Sequence, residues 1–152
     1  MNFIGIDPGK KGCVCSISEG GIISFAQFSE HEYVKFIVLN RDAFAVVERV
    51  HSSPQMGVTS AFSFGENFGF IRGILTSYRV PYELVLPQKW KKHFGVTADK
   101  NTSIECAHRL FPEVSLYPSE RCRKESDGMA ESLLIAEYAR RIYNRKYPME
   151  GV

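Results

Sequence analysis

The sequence predicts an α/β fold with one mixed five-stranded sheet, three antiparallel strands followed by two parallel ones, flanked by helices. Three observations carry this expectation. Strand-like segments follow one another at the N-terminus with only tight turns between them. From residue 29 onward, helical and strand patterns alternate. The segment "AFAVVER" is almost wholly apolar, as in a parallel strand covered on both faces.

Taken in order, "NFIGID" (2–7) is a short apolar run closed by an acid, and "PGKKG" is a turn. "CVCSIS" (13–18) alternates, "EGG" turns, and "IISFAQF" (22–28) is strand-like, which completes an antiparallel meander. In "SEHEYVKFIVLN", Ser29 is an N-cap with Glu32 three residues later, the pattern of a capping box. "AFAVVER" (43–49) is the buried strand, residues 58–79 form a long helix, and "PYELVL" (81–86) is the fifth strand. Two more helices are expected near 99–111 and 126–145. Between them "PEVSLYPSERCRKE" is proline-broken and charged, and reads as a mobile loop. The long helix carries Gly65, Gly69 and Gly73 every four residues on one face. Each glycine costs roughly 1 kcal/mol relative to alanine. The stripe therefore calls for a close neighbour, either the protein's own sheet, the favoured reading, or a second subunit.

A chain of 152 residues suits a single domain, 1–152, with one core. No apolar run approaches the roughly 18 residues of a membrane span. An acid and a Pro-Gly pair break the first apolar run too early for a signal peptide. The four cysteines lack metal-site spacing and read as reduced thiols of a cytoplasmic protein. Net charge is only +2, so the molecule is no polycation. Positive charge is instead regional: Lys89, Lys91, Lys92 and Lys100 in "QKWKKHFGVTADK", more in "SERCRKES", and Arg140, Arg141, Arg145 and Lys146 in the last helix. Such patches suit a polyanion touching one face, or simply solvate exposed surface.

The chemistry is carried by acids. In "SDGMAESLLIAEYA", Asp127 and Glu131 lie about 40° apart on a helix, at the head of the stripe formed by Leu134, Ile135, Tyr138 and Ile142. Acids in a first turn can merely oppose the helix dipole, with Ser126 as N-cap. Asp7 and Glu48, however, close two strands at the carboxyl edge of the expected sheet, where crevices open. Each has a purely structural reading as well: Asp7 as a turn anchor, Glu48 as a partner of Arg49 or a lysine. Four carboxylates from three distant segments form a hard oxygen donor set suited to Mg²⁺ or Mn²⁺. Two such ions can drive phosphodiester hydrolysis.

"FIGIDPGKKG", "AVVERVH" and "SDGMAESLLIAEYA" resemble the three acidic motifs of RuvC-type Holliday junction resolvases, phage-encoded members in particular, within the ribonuclease H-like fold. The resemblance spans nearly the whole chain. It implies a homodimeric, Mg²⁺-dependent endonuclease that nicks branched DNA, in the host cytoplasm if phage-encoded. It implies metal binding by Asp7, Glu48, Asp127 and Glu131, with two ions per site and Mn²⁺ able to substitute. Lys100 matches a family lysine near the scissile phosphate. Two departures stand out. The family usually has two Asp separated by two positions in the last motif, whereas Asp127 and Glu131 are separated by three. Glu131 can then reach the ion directly or through a water. His51 stands where members often carry a Phe that stacks on an unpaired base, so junction selectivity is expected to relax toward forks, flaps and three-way junctions.

In this reading Arg49, His51, Lys89, Lys91, Lys92 and Lys100 face DNA, the lysines contacting backbone without reading bases, while Trp90 packs in the core. The competing readings are a branched-DNA-binding protein without turnover, a ribonuclease H acting on RNA–DNA hybrids and, far behind, a sugar-kinase-like phosphotransferase, which would need a second similar domain.

Overall fold

The computed structural model describes residues 1–9 and 11–148. The sheet comprises β1 (Asn2–Asp7), β2 (Cys13–Ser18), β3 (Ile23–Gln27), β4 (Ala43–Glu48) and β5 (Tyr82–Val85). Their spatial order is β3-β2-β1-β4-β5. The first three strands pair antiparallel, while β4 runs parallel to β1 and β5 parallel to β4. The helices are α1 (Glu30–Leu39), α2 (Val58–Ser77), α3 (Pro87–Phe94), α4 (Lys100–Leu110) and α5 (Asp127–Lys146). Among the described residues no helix is long and apolar enough to cross a membrane.

Strand alternation decides which acids meet. Ile4 and Ile6 of β1, with Ala45 and Val47 of β4, point to the face covered by α1 and α2, against Tyr33, Ile37, Ile71 and Leu75. The intervening residues point the other way, where Phe3, Phe44 and Val46 pack on Leu134, Ile135 and Tyr138 of α5. Asp7 and Glu48 continue this second register, so both carboxylates emerge on the α5 face. Helix α5 is buried on all sides from Gly128 to Ala139, beneath α4 and against the sheet. Gly5 permits this close seating: a Cβ there would lie 2.1 Å from the Ala136 amide nitrogen. Gly128 does the same at the helix start, where a Cβ would lie 2.6 Å from the Lys11 carbonyl oxygen.

Ser29 caps α1 by accepting from the Glu32 amide at 3.1 Å, and Ser126 caps α5 by accepting from the Met129 amide at 3.1 Å. Three features depart from the sequence expectation. Residues 87–94 form a helix, α3, where none was read. Pro87 at its first turn and Gly95 in the left-handed conformation (φ +67°) bound it, and Trp90 and Phe94 bury one side. The glycine stripe of α2 does not face the sheet: nothing in the described chain lies within 4 Å of a Cβ built at Gly65, Gly69 or Gly73. The segment between α4 and α5 is anchored: Leu116 is buried, its carbonyl accepts from the Ser126 amide at 2.8 Å, and Glu125 pairs with His108.

Candidate active site

Three elements deliver the acids. β1 ends at Asp7, whose Oδ1 accepts a long 3.4 Å bond from the Gly9 amide. The turn after it is tied to α2, because the Asn67 side chain donates to the Pro8 carbonyl at 2.6 Å. β4 ends at Glu48. The first turns of α5 supply Asp127, half-exposed, and Glu131, whose side chain is only 3% exposed. Lys100, the first residue of α4, reaches across to them: its Nζ donates to Glu131 Oε1 at 2.9 Å and lies 3.5 Å from Asp127 Oδ2. The structure thus brings Asp7, Glu48, Asp127, Glu131 and Lys100 to one edge of the sheet.

The electrostatics record the crowding. Burial, then repulsion from Glu131 and Glu48, push the Asp7 carboxyl up to about 7. Burial also raises Glu48, with Glu131 adding and a hydrogen bond from Trp90 opposing. For Lys100, burial disfavours the ammonium, but the bond to Glu131 and the charges of Glu131, Asp7 and Asp127 outweigh it and hold the group above its usual value. Like charges packed this closely cost stability, and such arrangements cluster at functional sites.

Among the described residues, Glu48 is held by neither Arg49 nor a lysine. Its Oε2 accepts from the indole Nε1–H of Trp90 at 2.7 Å. Trp90 is fully buried, as its core placement predicts, yet one atom of it serves the site. Sequence reasoning missed this link, because the two residues are 42 positions apart and joined by an unrecognised helix.

The donor set fits a hard divalent cation: four carboxylates, and an Asp7 that has acids rather than a cation as its dominant neighbours. Among the described residues, however, no three His, Cys, Asp or Glu side chains are placed to hold an ion together. The side-chain orientations explain this. Glu131 is turned onto Lys100 and Glu48 onto Trp90.

The remaining DNA-facing candidates lie on α3 and on the segment leaving β4. Lys91 is near enough to Glu48 to favour its charged form, and its ammonium sits 5.5 Å from the Trp90 ring centroid. Lys89 and Lys92 are exposed on α3, and Arg49 and His51 are exposed just beyond β4. On the last helix, positive charge is largely spent locally. Arg140 and Arg141 both bind the buried Glu137, at 2.8 and 2.7 Å, and Lys146 pairs with Glu83.

No family model matches the sequence, and no curated protein matches it. Solved structures do. Thermus thermophilus RuvC in complex with a Holliday junction substrate is 16% identical, with a TM-score of 0.65 over 97% of this chain and 96% of that one. Thermus thermophilus RuvC alone is 18% identical, with a TM-score of 0.61 over 93% and 96%. The yeast mitochondrial Holliday junction resolvase is 14% identical, with a TM-score of 0.55 over 95% and 80%. With its mixed sheet, helix plan and near-complete coverage, the chain has the RuvC-type variant of the ribonuclease H-like fold.

Proposed function

We propose that this protein is a Mg²⁺-dependent endonuclease that nicks branched DNA, four-way junctions above all, by phosphodiester hydrolysis. The observation that carries the proposal is the gathering of Asp7, Glu48, Asp127 and Glu131 with Lys100 at the carboxyl edge of a RuvC-type sheet. The Thermus protein of this fold was solved with a Holliday junction bound, which supports branched DNA as the ligand class here.

Asp7, Glu48 and Asp127 would hold the cations, with Glu131 completing the set once Lys100 releases it. A pair of divalent ions, when bound, supplies water activation and stabilises the departing 3′ oxygen. The chain's own residues do the rest. Lys100, freed from Glu131, presents its ammonium to the phosphate and offsets charge that grows during displacement. Lys89, Lys91 and Lys92 hold the backbone and set register. His51 and Arg49 lie on the loop leaving β4, where His51 stacks on an unpaired base more weakly than a larger ring would. Mn²⁺ substitutes for Mg²⁺ because the ligands are carboxylates.

Cutting both strands of a junction symmetrically requires two sites, and the unpartnered face of α2 supports a homodimer. Val58 and Phe62 are 88% and 73% exposed, and the open glycine stripe continues the same face. Small residues there let a second copy approach closely, and a two-fold axis would present two sites to opposite strands.

Two observations favour a second reading. The lysine-locked Glu131 and the absence of a ready ion cluster among the described residues suit a branched-DNA-binding protein without turnover. A single gel separates the readings. Strand-labelled four-way junction, fork, linear duplex and RNA–DNA hybrid are incubated with protein, with and without Mg²⁺. The nuclease reading predicts Mg²⁺-dependent nicks in branched DNA. Shifted but intact junctions identify the non-catalytic reading, and preferential hybrid cleavage identifies a ribonuclease H.

A further inference from the structure

We propose that Trp90 is a positioning residue for the cation site: its indole N–H fixes the Glu48 carboxylate and couples the lysine-bearing helix α3 to the acidic edge. The inference rests on the nuclease reading and extends it to a residue that neither the motifs nor the fold assign.

An indole N–H is a donor only, and when buried it needs an acceptor. Any backbone carbonyl would serve, and a neutral acceptor would be cheaper than a half-buried carboxylate among other acids. Here the acceptor is Glu48 Oε2, at 2.7 Å. The ring cannot swing to choose another. It is fully buried in a cluster with Val85, Phe94, Val96, Leu134 and Tyr138. β5 and α3 are joined by Leu86 alone, and Val85 lies directly opposite Glu48 in the sheet. The bond is thus held from both ends by regular structure.

The two donors that hold the site's carboxylates differ in kind. Lys100 holds Glu131 with a positive charge, which competes with an incoming cation. Trp90 holds Glu48 with a neutral donor, which orients the carboxylate, leaves its negative charge in place and leaves Oε1 for an ion. Outer donors of this type commonly set ligand orientation at metal centres. Trp90 is also flanked by Lys89 and Lys91, so the helix that would grip phosphate carries the anchor of a metal ligand on its buried side.

Trp90→Phe keeps an aromatic ring and removes the donor. Mn²⁺ titration of the whole protein by calorimetry is expected to show about 10- to 100-fold weaker binding in this variant. Val96→Ala trims the same cluster without touching the N–H, and is expected to keep wild-type Mn²⁺ affinity despite a comparable loss of thermal stability. A second readout needs no variant. Trp90 is the sole tryptophan, so its indole N–H gives one assigned resonance in ¹⁵N-labelled protein. That resonance is expected to move as Mg²⁺ is added and to stay still in Asp7→Asn. Unchanged Mn²⁺ affinity in Trp90→Phe, an equal loss in Val96→Ala, or an indole resonance unmoved through Mg²⁺ saturation each overturn the inference while leaving the nuclease reading intact. Failure of the wild type itself to bind Mn²⁺ overturns both.

Discussion

Asp7 is the residue on which the site turns. In metal-free protein its carboxyl keeps a proton up to about pH 7, against 3.8 ordinarily. Between those values the folded state binds more protons than the unfolded chain. Stability therefore falls as pH rises through this window and settles at its lower level above about pH 7. Asp7→Asn removes the titration. In chelator, its melting temperature should match the wild type near pH 4 and exceed it at pH 8, by roughly 2–4 °C for each 1 kcal/mol of relief. An offset identical at both pH values would show that the carboxyl's ionisation is not the cause. The same variant should lose nicking by about 10³-fold or more, the scale of transition-state stabilisation a metal centre supplies, yet still bind branched DNA. Surviving metal-dependent cleavage would remove Asp7 from the mechanism.

At the scale of elements, the site depends on how closely α5 lies on β1. Gly5→Ala places a methyl group within 2.1 Å of the Ala136 backbone, which cannot yield as a side chain can. The expected cost is about 3 kcal/mol or more, read by chemical denaturation, and a loss below about 1 kcal/mol would mean that the helix rides more loosely than described. On α2 the prediction concerns a second copy. Phe62→Glu puts a charge on the exposed glycine-lined face, and sedimentation is expected to show a dimer for the wild type and a monomer, with the fold intact, for the variant. A Phe62→Glu protein that remains dimeric would move the interface elsewhere. Most elements were legible in the sequence because period-two and helical patterns are local. The antiparallel meander followed from the tight turns, and the buried parallel strand from the apolar run in "AFAVVE". The helix α3 was hidden by its charge. Lys89, Lys91 and Lys92 mask an apolar pair, Trp90 and Phe94, that is too short to show a period. The glycine stripe was legible as a pattern, but not its direction, because nothing local says which side of α2 the sheet will cover.

For the whole molecule, the proposed function asks how a chain of net charge +2 would grip a polyanion. The answer lies in distribution. Arg140, Arg141 and Lys146 are paired internally, whereas Lys89 and Lys92 are exposed on α3 and Lys91 lies near Glu48 at the acidic edge. Replacing Lys89 and Lys92 by Ala should lower the slope of log affinity against log salt by about 0.9 for each phosphate no longer neutralised, measured on a four-way junction with the Asp7→Asn protein. An unchanged slope would place the DNA on another face. The convergence of the four acids was readable from their places at element ends. Their side-chain partners were not, since the Lys100–Glu131 and Trp90–Glu48 bonds join residues 31 and 42 positions apart. These carboxylates are proposed to form one cation-holding pocket once Lys100 gives way. Anomalous diffraction from crystals soaked in Mn²⁺ tests this proposal most directly. Manganese peaks are expected among Asp7, Glu48 and Asp127, with Lys100 turned away from Glu131. Crystals soaked to saturation with no such peak, and with Lys100 still on Glu131, would contradict it.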